Sequence, residues 1–500
     1  RLTFGKTEVV TELFVTEKNK RFVMNVTVKN LGEQVKKYSI LKCAFPYLNE
    51  LLMAPWDKPE WYTRTEYLKD KNAFLTTKYS VAGKKEERRY LTIVSNDETN
   101  NRELSLERLT TLTKNFSVIP DKIGGVTEDT LYAFKQCVST LATVNLKGGE
   151  SYSFTQVFAV TDDEKKIAEN IKSSVKYFDS TVQKAEEEKL SEKHAELFSV
   201  RTVKTGDPDF DSFVNGFLPL EMYWVSSLDR GWPTGMRGVR DAANDFEGML
   251  CYDKQMCKGV IENIFSKQRG DGWYPRQVPF GTGTKFDLRE FVDSACFFTE
   301  YVYDYLAYTG DYSILENKYG YYDCETQESG LTHLKKGMDY LLSDDALGVH
   351  GLVKMRGGDW LDCLSGAGKK GRGESVMVSC QLVMCLKYLV EILNKVGRVN
   401  EVEKYEKAGY RLKKAINKAA FNGRFYNAVY TDNDTWLFSE KDEDGEERVY
   451  VPTNAYAVIS GVASGKENKI FNEIAKLKTS DGYKLFSKPL GGKFIDGIGK

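Results

Sequence analysis

Hydrophobic and polar positions alternate along the first third of the chain. The runs FVMNVTVKN (22–30), YLTIVSN (90–96), LATVNLK (141–147) and YSFTQVFAV (152–160) carry apolar residues at every second position, the period of a pleated strand. Turn-rich pieces (NLGEQ, VAGKKEE, LKGGES) separate such runs and no helical pattern intervenes, so residues 1–162 read as an antiparallel β-sandwich. At Thr161 the period lengthens. The stretch DDEKKIAENIKSSVKYFDSTVQKAEEEKLSEKHAELF holds neither Gly nor Pro. It predicts a helical linker over 163–204, its charge run a solvated helix face and His194 a surface residue. From 205 to 500 the spacing stays helical, with amphipathic segments predicted at 209–225, 245–266, 294–308, 331–343, 375–396, 400–420, 453–463 and 466–477. Long Gly-rich and aromatic loops separate some of them. Paired helices repeating around a ring, an (α/α) barrel, would gather those loops at one mouth, where sites are usually built.

One stretch organises the rest: DLREFVDSACFFTEYVYDYLAYTGD, 287–311. Phe297, Phe298, Tyr301, Val302, Tyr305 and Leu306 recur at helical spacing, and Thr309–Gly310 closes the pattern. Asp293 stands where loop becomes helix. Its carboxylate has two available jobs, an N-cap on the first turn, which the local sequence favours, or a general acid projected from a helix mouth. Three loops hold the remaining candidate chemistry. In 231–250, Arg237, Arg240, Asp241 and Asp245 crowd beside Trp232. Arg–Asp pairs hold each other rigidly and offer fixed donors and acceptors to sugar hydroxyls, or else form a structural network at a helix start. The loop before Asp293 contributes Trp273, with Tyr274 and Arg276 nearby. In 357–376, Asp359, Trp360, Asp362 and Glu374 add carboxylates and an aromatic platform, while Lys369, Lys370 and Arg372 offer charge to an anion. The glycines of that loop match neither a P-loop nor a dinucleotide fingerprint.

Composition narrows the class. With 41% hydrophobic and 29% charged residues the chain is globular, and 500 residues call for more than one domain. Lys plus Arg (71) nearly balances Asp plus Glu (72), which leaves no basic field for nucleic acid or a membrane surface. No unbroken apolar window approaches the length of a membrane span. Nine scattered cysteines include no CxxC, and three histidines show no ligand spacing, so reduced core thiols and no metal site are expected.

The third loop is similar to a pattern of glycoside hydrolase family 94, whose members include inverting phosphorylases. That pattern is an Ala/Gly-Asp-Trp-Asn-Asp segment followed by Gly-Lys/Arg-Gly-Glu-Ser-Val; here it stands as GDWLDCL and GRGESV. MRGVRDAANDFEG resembles the family's Arg-Asp-x-x-Gln-Asp segment, and FVDSACFFTEYVYDYLAYTGDYSILE its Ser-Asp-Asp-x-x-Trp segment with the helix that ends in Thr-Gly-Asp. LKGGESYSFTQVFAV and YAVISGVA also fit. The resemblance implies an N-terminal β-sandwich, a helical linker and an (α/α)6 barrel. It implies cleavage of β-linked glucosides by inorganic phosphate with inversion, no cofactor, Asp293 as general acid, and donor-sugar contacts at Arg237, Arg240 and Asp241 with Asp359 and Trp360 nearby. Asp245, Trp273, Asp362 and Glu374 complete the expected substrate-binding set. A cytoplasmic location is expected, and a homodimer is the assembly suggested. Ser294, Phe297, Phe291 and Leu361 depart from the family pattern and point toward the 1,2-β-oligoglucan phosphorylases rather than cellobiose phosphorylase. A His and a Thr-Gly pair that bind phosphate in the family would lie past residue 500, so an incomplete barrel is expected. An inverting glucan hydrolase and a non-catalytic glucan-binding protein are the competing readings.

Overall fold

The computed structural model describes residues 1–16, 21–46, 48, 63–79, 88–97, 102–107, 131–132, 136–227, 236–280, 285–364 and 366–490. The described residues divide into two compact units, the first built from Arg1–Thr202 and the second from those that follow Thr202.

The first unit holds two antiparallel sheets. The larger runs, edge to edge, Leu2–Phe4, Thr7–Val15, Arg21–Asn30, Ser151–Thr161, Arg89–Ser95, Ala73–Lys78, Thr63–Leu68 and Leu131–Tyr132. The smaller places Gln136–Leu146 between Lys36–Ala44 and Arg102–Glu107. Neighbouring residues on a strand face opposite ways, and here both faces of the large sheet are covered. Phe74 and Ile93 meet Val138 of the small sheet, and Val28 meets Tyr38 and Leu146. One residue along, Ala73, Val94 and Val157 face the other way, onto Ile171 and Tyr177. Those two belong to helix α1 (Ile167–Ser174) and the 3-10 turn that follows it. Helix α2 (Ser180–Ser199) is tied in through Asn25, which donates to Gln183 at 2.6 Å. The segment predicted as a linker therefore packs as part of the β unit.

The second unit is helical. Its main helices are α3 (Leu218–Ser227), α4 (Val239–Met249), α5 (Lys254–Phe265), α6 (Ser294–Thr309), α7 (Gly330–Leu341), α8 (Val376–Lys395), α9 (Val399–Ala419), α10 (Val451–Ile459) and α11 (Glu467–Ala475). Helices α3, α4, α6, α8 and α10 lie side by side in that order, and α5, α7, α9 and α11 back them as a second row. Helix starts follow capping chemistry. Asp253 accepts from Met256 N–H at 2.8 Å, and Ser329 and Ser375 cap α7 and α8. Helix α6 stops at Gly310, whose left-handed φ of 69° lets its N–H return to the Leu306 carbonyl. The single helix predicted over 245–266 is in fact two. Apolar spacing runs on through the break, but Asp253 caps a fresh start there. Helix α8 is long and apolar enough to cross a bilayer by length and composition alone, yet 78% of that stretch is buried against its neighbours. It reads as the central core helix. His333 is likewise a core residue, stacked on Tyr321 at 4.3 Å and pushed down to about 4 by burial.

Candidate active site

Four chain segments converge at one end of the inner helices. The short strand Met236–Gly238 pairs with Gln277–Pro279, and the Arg276 carbonyl accepts the first N–H of α4, from Val239, at 3.1 Å. A Cβ at Gly238 would meet the Asp241 carboxylate, which folds back over the helix start and would have to turn aside. The second contact is a parallel bridge between Phe291 and Gly358, in which Val292 N–H donates to the Gly358 carbonyl at 3.1 Å. Gly358 has φ +139° and lies against the Phe291 ring, a conformation and a closeness that suit glycine alone. The indole of Trp273 donates to the Phe291 carbonyl at 3.1 Å. Backbone is thus pinned on both sides of the residues that precede Asp293.

Asp293 does occupy the N-cap position of α6, but its side chain caps nothing. It is 1% exposed. One oxygen, Oδ2, accepts from Arg240 Nη1 at 2.9 Å; Oδ1 is buried with no hydrogen-bond partner. Burial raises the Asp293 pKa, and the attraction of Arg240 only partly opposes it. Burial also works against the Arg240 charge, but Asp293 and Asp362 outweigh it, so that guanidinium stays charged. The same Nη1 donates to the Asp359 carbonyl at 2.9 Å, and Nη2 to Asp362 Oδ1 at 2.9 Å. Asp359 is 3% exposed; Ser375 Oγ donates to its Oδ2 at 2.7 Å and Leu361 N–H to its Oδ1 at 3.1 Å. Burial, opposed by the Ser375 bond and helped by the nearby Asp293 charge, lifts its pKa to about 6.

Arg240, Asp293, Asp359 and Asp362 therefore form one cluster, with Asp241 and the partly exposed Trp360 adjacent to it in the chain. Four other expected contacts are placed differently. Arg237 is buried in an internal pair with Asp245 at 2.5 Å, donates to the Val225 carbonyl, and lies between the rings of Phe246 and Phe280. These two support the start of α4 and do not join the Asp293 cluster. Trp273 is buried by its bond to Phe291 and offers no open face. Glu374 sits on the opposite side of its strand from Ser375 and is wholly buried. His350 Nδ1 lies 2.5 Å from its carboxylate, which also accepts from the amides of His350 and Leu352. Trp232 lies outside the described residues.

Part of the Gly-rich loop is committed to internal bonds: Asp432 accepts from the N–H groups of Lys370, Arg372 and Gly373 at 2.5, 2.9 and 3.0 Å, and the Arg372 side chain pairs with Asp434. Two residues of the cluster were not among the predicted contacts. Arg276 donates to Asp287 and Asp362, both at 3.1 Å, and Phe291 carries the guanidiniums of Arg240, Arg276 and Arg289 at 5.6, 4.8 and 5.8 Å from its ring centre. The signal for them was the alternating charge of DLRE just upstream of Phe291.

Residues 194–491 match the model of the glycosyl hydrolase 94 superfamily catalytic domain. The chain belongs to this family. It is 26% identical, over 293 residues, to the 3-O-beta-D-glucopyranosyl-beta-D-glucuronide phosphorylase of Paenibacillus borealis, covering 58% of this chain and 37% of that protein. It is 25% identical over 399 residues to the solabiose phosphorylase of the same organism, covering 75% and 49%. It is also 25% identical over 285 residues to the cyclic beta-(1,2)-glucan synthase NdvB of Rhizobium meliloti, covering 52% and 10%. The chain thus spans half or less of these curated relatives. Its fold resembles that of a bacterial glucoamylase solved with acarbose, with TM-score 0.58 and 12% identity over 99% of this chain and 71% of that one. The second unit is accordingly of the glucoamylase-like (α/α)6 kind.

Proposed function

We propose that this family 94 protein is an inverting glycoside phosphorylase. It cleaves β-linked gluco-oligosaccharides, 1,2-β-oligoglucans first among them, with inorganic phosphate and releases α-glucose 1-phosphate. The two N-terminal sheets form its β-sandwich, and the inner helices line an (α/α)6 barrel with the Asp293 cluster at the mouth. The single observation that carries the reading is the state of Asp293, a carboxyl buried at a helix start, raised in pKa, free of capping duty, and with one oxygen unpartnered. A glycosidic oxygen leaves poorly until protonated, and a carboxyl held neutral by burial can supply that proton. Arg240 fixes the orientation of the acid. Phosphate is anionic at neutral pH and needs no general base, whereas an inverting hydrolase needs a second carboxylate to activate water. Arg240, Asp241, Asp359, Trp360 and Asp362 are the groups we assign to the sugars. The relatives named as phosphorylases support the reaction, and the match to the cyclic beta-(1,2)-glucan synthase supports the linkage.

The test is to incubate the full-length protein with β-linked gluco-oligosaccharides of each linkage, with and without phosphate, and to assay α-glucose 1-phosphate. Phosphate-dependent release is expected, greatest for the 1,2-linkage; free glucose without phosphate would establish a hydrolase instead. Asp293→Asn should lose roughly 10²–10⁴ in rate and keep its fold, because no backbone amide depends on the side chain. A variant that unfolds yet keeps its activity per folded molecule would refute the assignment.

A further inference from the structure

Tyr450 stands just ahead of α10, at its N-cap position. Its ring shares an apolar cluster with Leu361, Cys363 and Leu364, the stretch that follows Asp359 and Trp360. Tyr450 is 2% exposed, and among the described residues its hydroxyl has no hydrogen-bond partner. The ring is held firmly. Phe438 stacks on it with centres 4.9 Å apart and planes 19° apart. Phe438 itself keeps a left-handed φ of 50°, an uncommon conformation for a bulky side chain. The Tyr450 carbonyl accepts from Asn454 Nδ2 at 2.8 Å, and its backbone bridges to Phe486. Burial holds the phenol protonated; the charges of Asp359 and Cys363 add to this and that of Arg240 opposes it. The hydroxyl therefore sits beside Asp359 and Arg240 as a fixed donor. Asp359 keeps acceptor capacity of its own. Its Oδ2 accepts once, from Ser375, and its Oδ1 once, from Leu361, whereas a carboxylate oxygen can accept twice.

We propose that Tyr450 is a specificity-determining contact to the donor sugar: its phenol donates to one hydroxyl oxygen of the glucosyl unit, and the same hydroxyl donates to Asp359. A phenol that donates and a carboxylate that accepts are both satisfied by a sugar hydroxyl, which does each at once. A ring oxygen can only accept, and a C–H group does neither. A donor without that hydroxyl would strand two buried polar groups together, so the contact discriminates more sharply than an apolar wall could. The inference rests on the phosphorolysis reading, which gives Asp359 and Arg240 to the donor sugar, and adds to it a residue that the sequence pattern did not single out.

Tyr450→Phe removes one oxygen and leaves the ring. Wild type and variant, both full-length, are titrated by calorimetry with α-glucose 1-phosphate and with its 2-, 3-, 4- and 6-deoxy analogues. For the same donors kcat/KM is measured from phosphate release with 1,2-β-linked glucobiose as acceptor. With α-glucose 1-phosphate the variant should show a Kd higher and a kcat/KM lower by about tenfold. For one deoxy donor the two proteins should agree within about twofold, because the partner hydroxyl is already gone; the other analogues should keep the gap. The intrinsic reactivity of each analogue cancels in this comparison. Without sugar the variant's Tm should match or exceed that of the wild type, since no protein group loses a bond. A gap of equal size for every donor, a gap for none, or a Tm lowered by about 3 °C or more would overturn the inference and leave phosphorolysis standing. Wild type that releases no phosphate with any acceptor would overturn the phosphorolysis reading, and the Kd series would still decide the inference.

Discussion

Replacing Asp359 by Asn should make the protein less sensitive to pH, in a direction that can be worked out. In the folded chain burial holds the Asp359 pKa at about 6; in the unfolded chain an aspartate titrates near ~3.9. Between those values the folded state binds a proton that the unfolded state has lost. Stability is therefore highest below about pH 4, declines as pH rises, and carries the whole penalty above the folded value. A gap of about two pH units corresponds to roughly 3 kcal/mol. Asn keeps the size of the side chain and an acceptor for Ser375 Oγ or Leu361 N–H, but it cannot ionise. Any pH-independent cost of the substitution cancels when the variant is compared with the wild type at two pH values. Relative to wild type, Asp359→Asn should gain about 3 kcal/mol between pH 4 and pH 7.5. At about 2 °C per kcal/mol for a domain of this size, that is a relative rise of roughly 6 °C in Tm. Thermal unfolding followed by tryptophan fluorescence reads it directly. A difference that stays constant across the range, or that grows toward acid, would show that Asp359 is ionised in the folded state and that its bonds to Ser375 and Leu361 outweigh its burial.

Gly358→Ala places a methyl group against the Phe291 ring at a φ of +139°. It should cost about 1–3 kcal/mol and, by breaking the bridge to Val292, lower kcat more than tenfold; an active variant of unchanged Tm would mean that the bridge does not position Asp293. Asp432→Ala strands three loop amides at once. With about 1–3 kcal/mol lost per unsatisfied group, trypsin should cut at Lys369, Lys370 or Arg372 at least tenfold faster, visible on a gel time course, whereas an unchanged rate would show the loop to be held by other contacts.

The fold was legible where one local rule decided it. Two-residue periodicity located the strands at 22–30, 90–96, 141–147 and 152–160, and helical spacing located α6 to α9 within a residue or two. The break between α4 and α5 was hidden because apolar spacing continues across it and only the Asp253 cap interrupts it. The packing of α1 and α2 onto the sheet depends on which face of Val94 and Val157 remains uncovered, which a linear pattern does not state. In the site, residue type and neighbourhood placed Arg240, Asp293, Asp359 and Asp362 within a wider set of candidates. They could not separate Arg240 from Arg237, because the two differ only in what lies 53 and 122 residues away in one case and eight residues away in the other. Trp273 and Glu374 looked available because aromatic and acidic residues in loops often are. Their partners, the Phe291 carbonyl and His350, become visible only when the chain is folded. The cap reading of Asp293 failed for a related reason. A cap is judged by sequence position, but Arg240 draws this side chain away from the amides.

Phe291 has a consequence beyond holding three guanidiniums around one ring. Its neighbours come from separate stretches of the chain, at 240, 276, 289 and 358, and the ion pairs and the Gly358 bridge stitch them together. Loops that are ordered in advance surrender no conformational freedom when a ligand arrives. Association should then be paced by diffusion, and tightening of the mouth around its ligand should be a matter of side chains, with the backbone already in its working position.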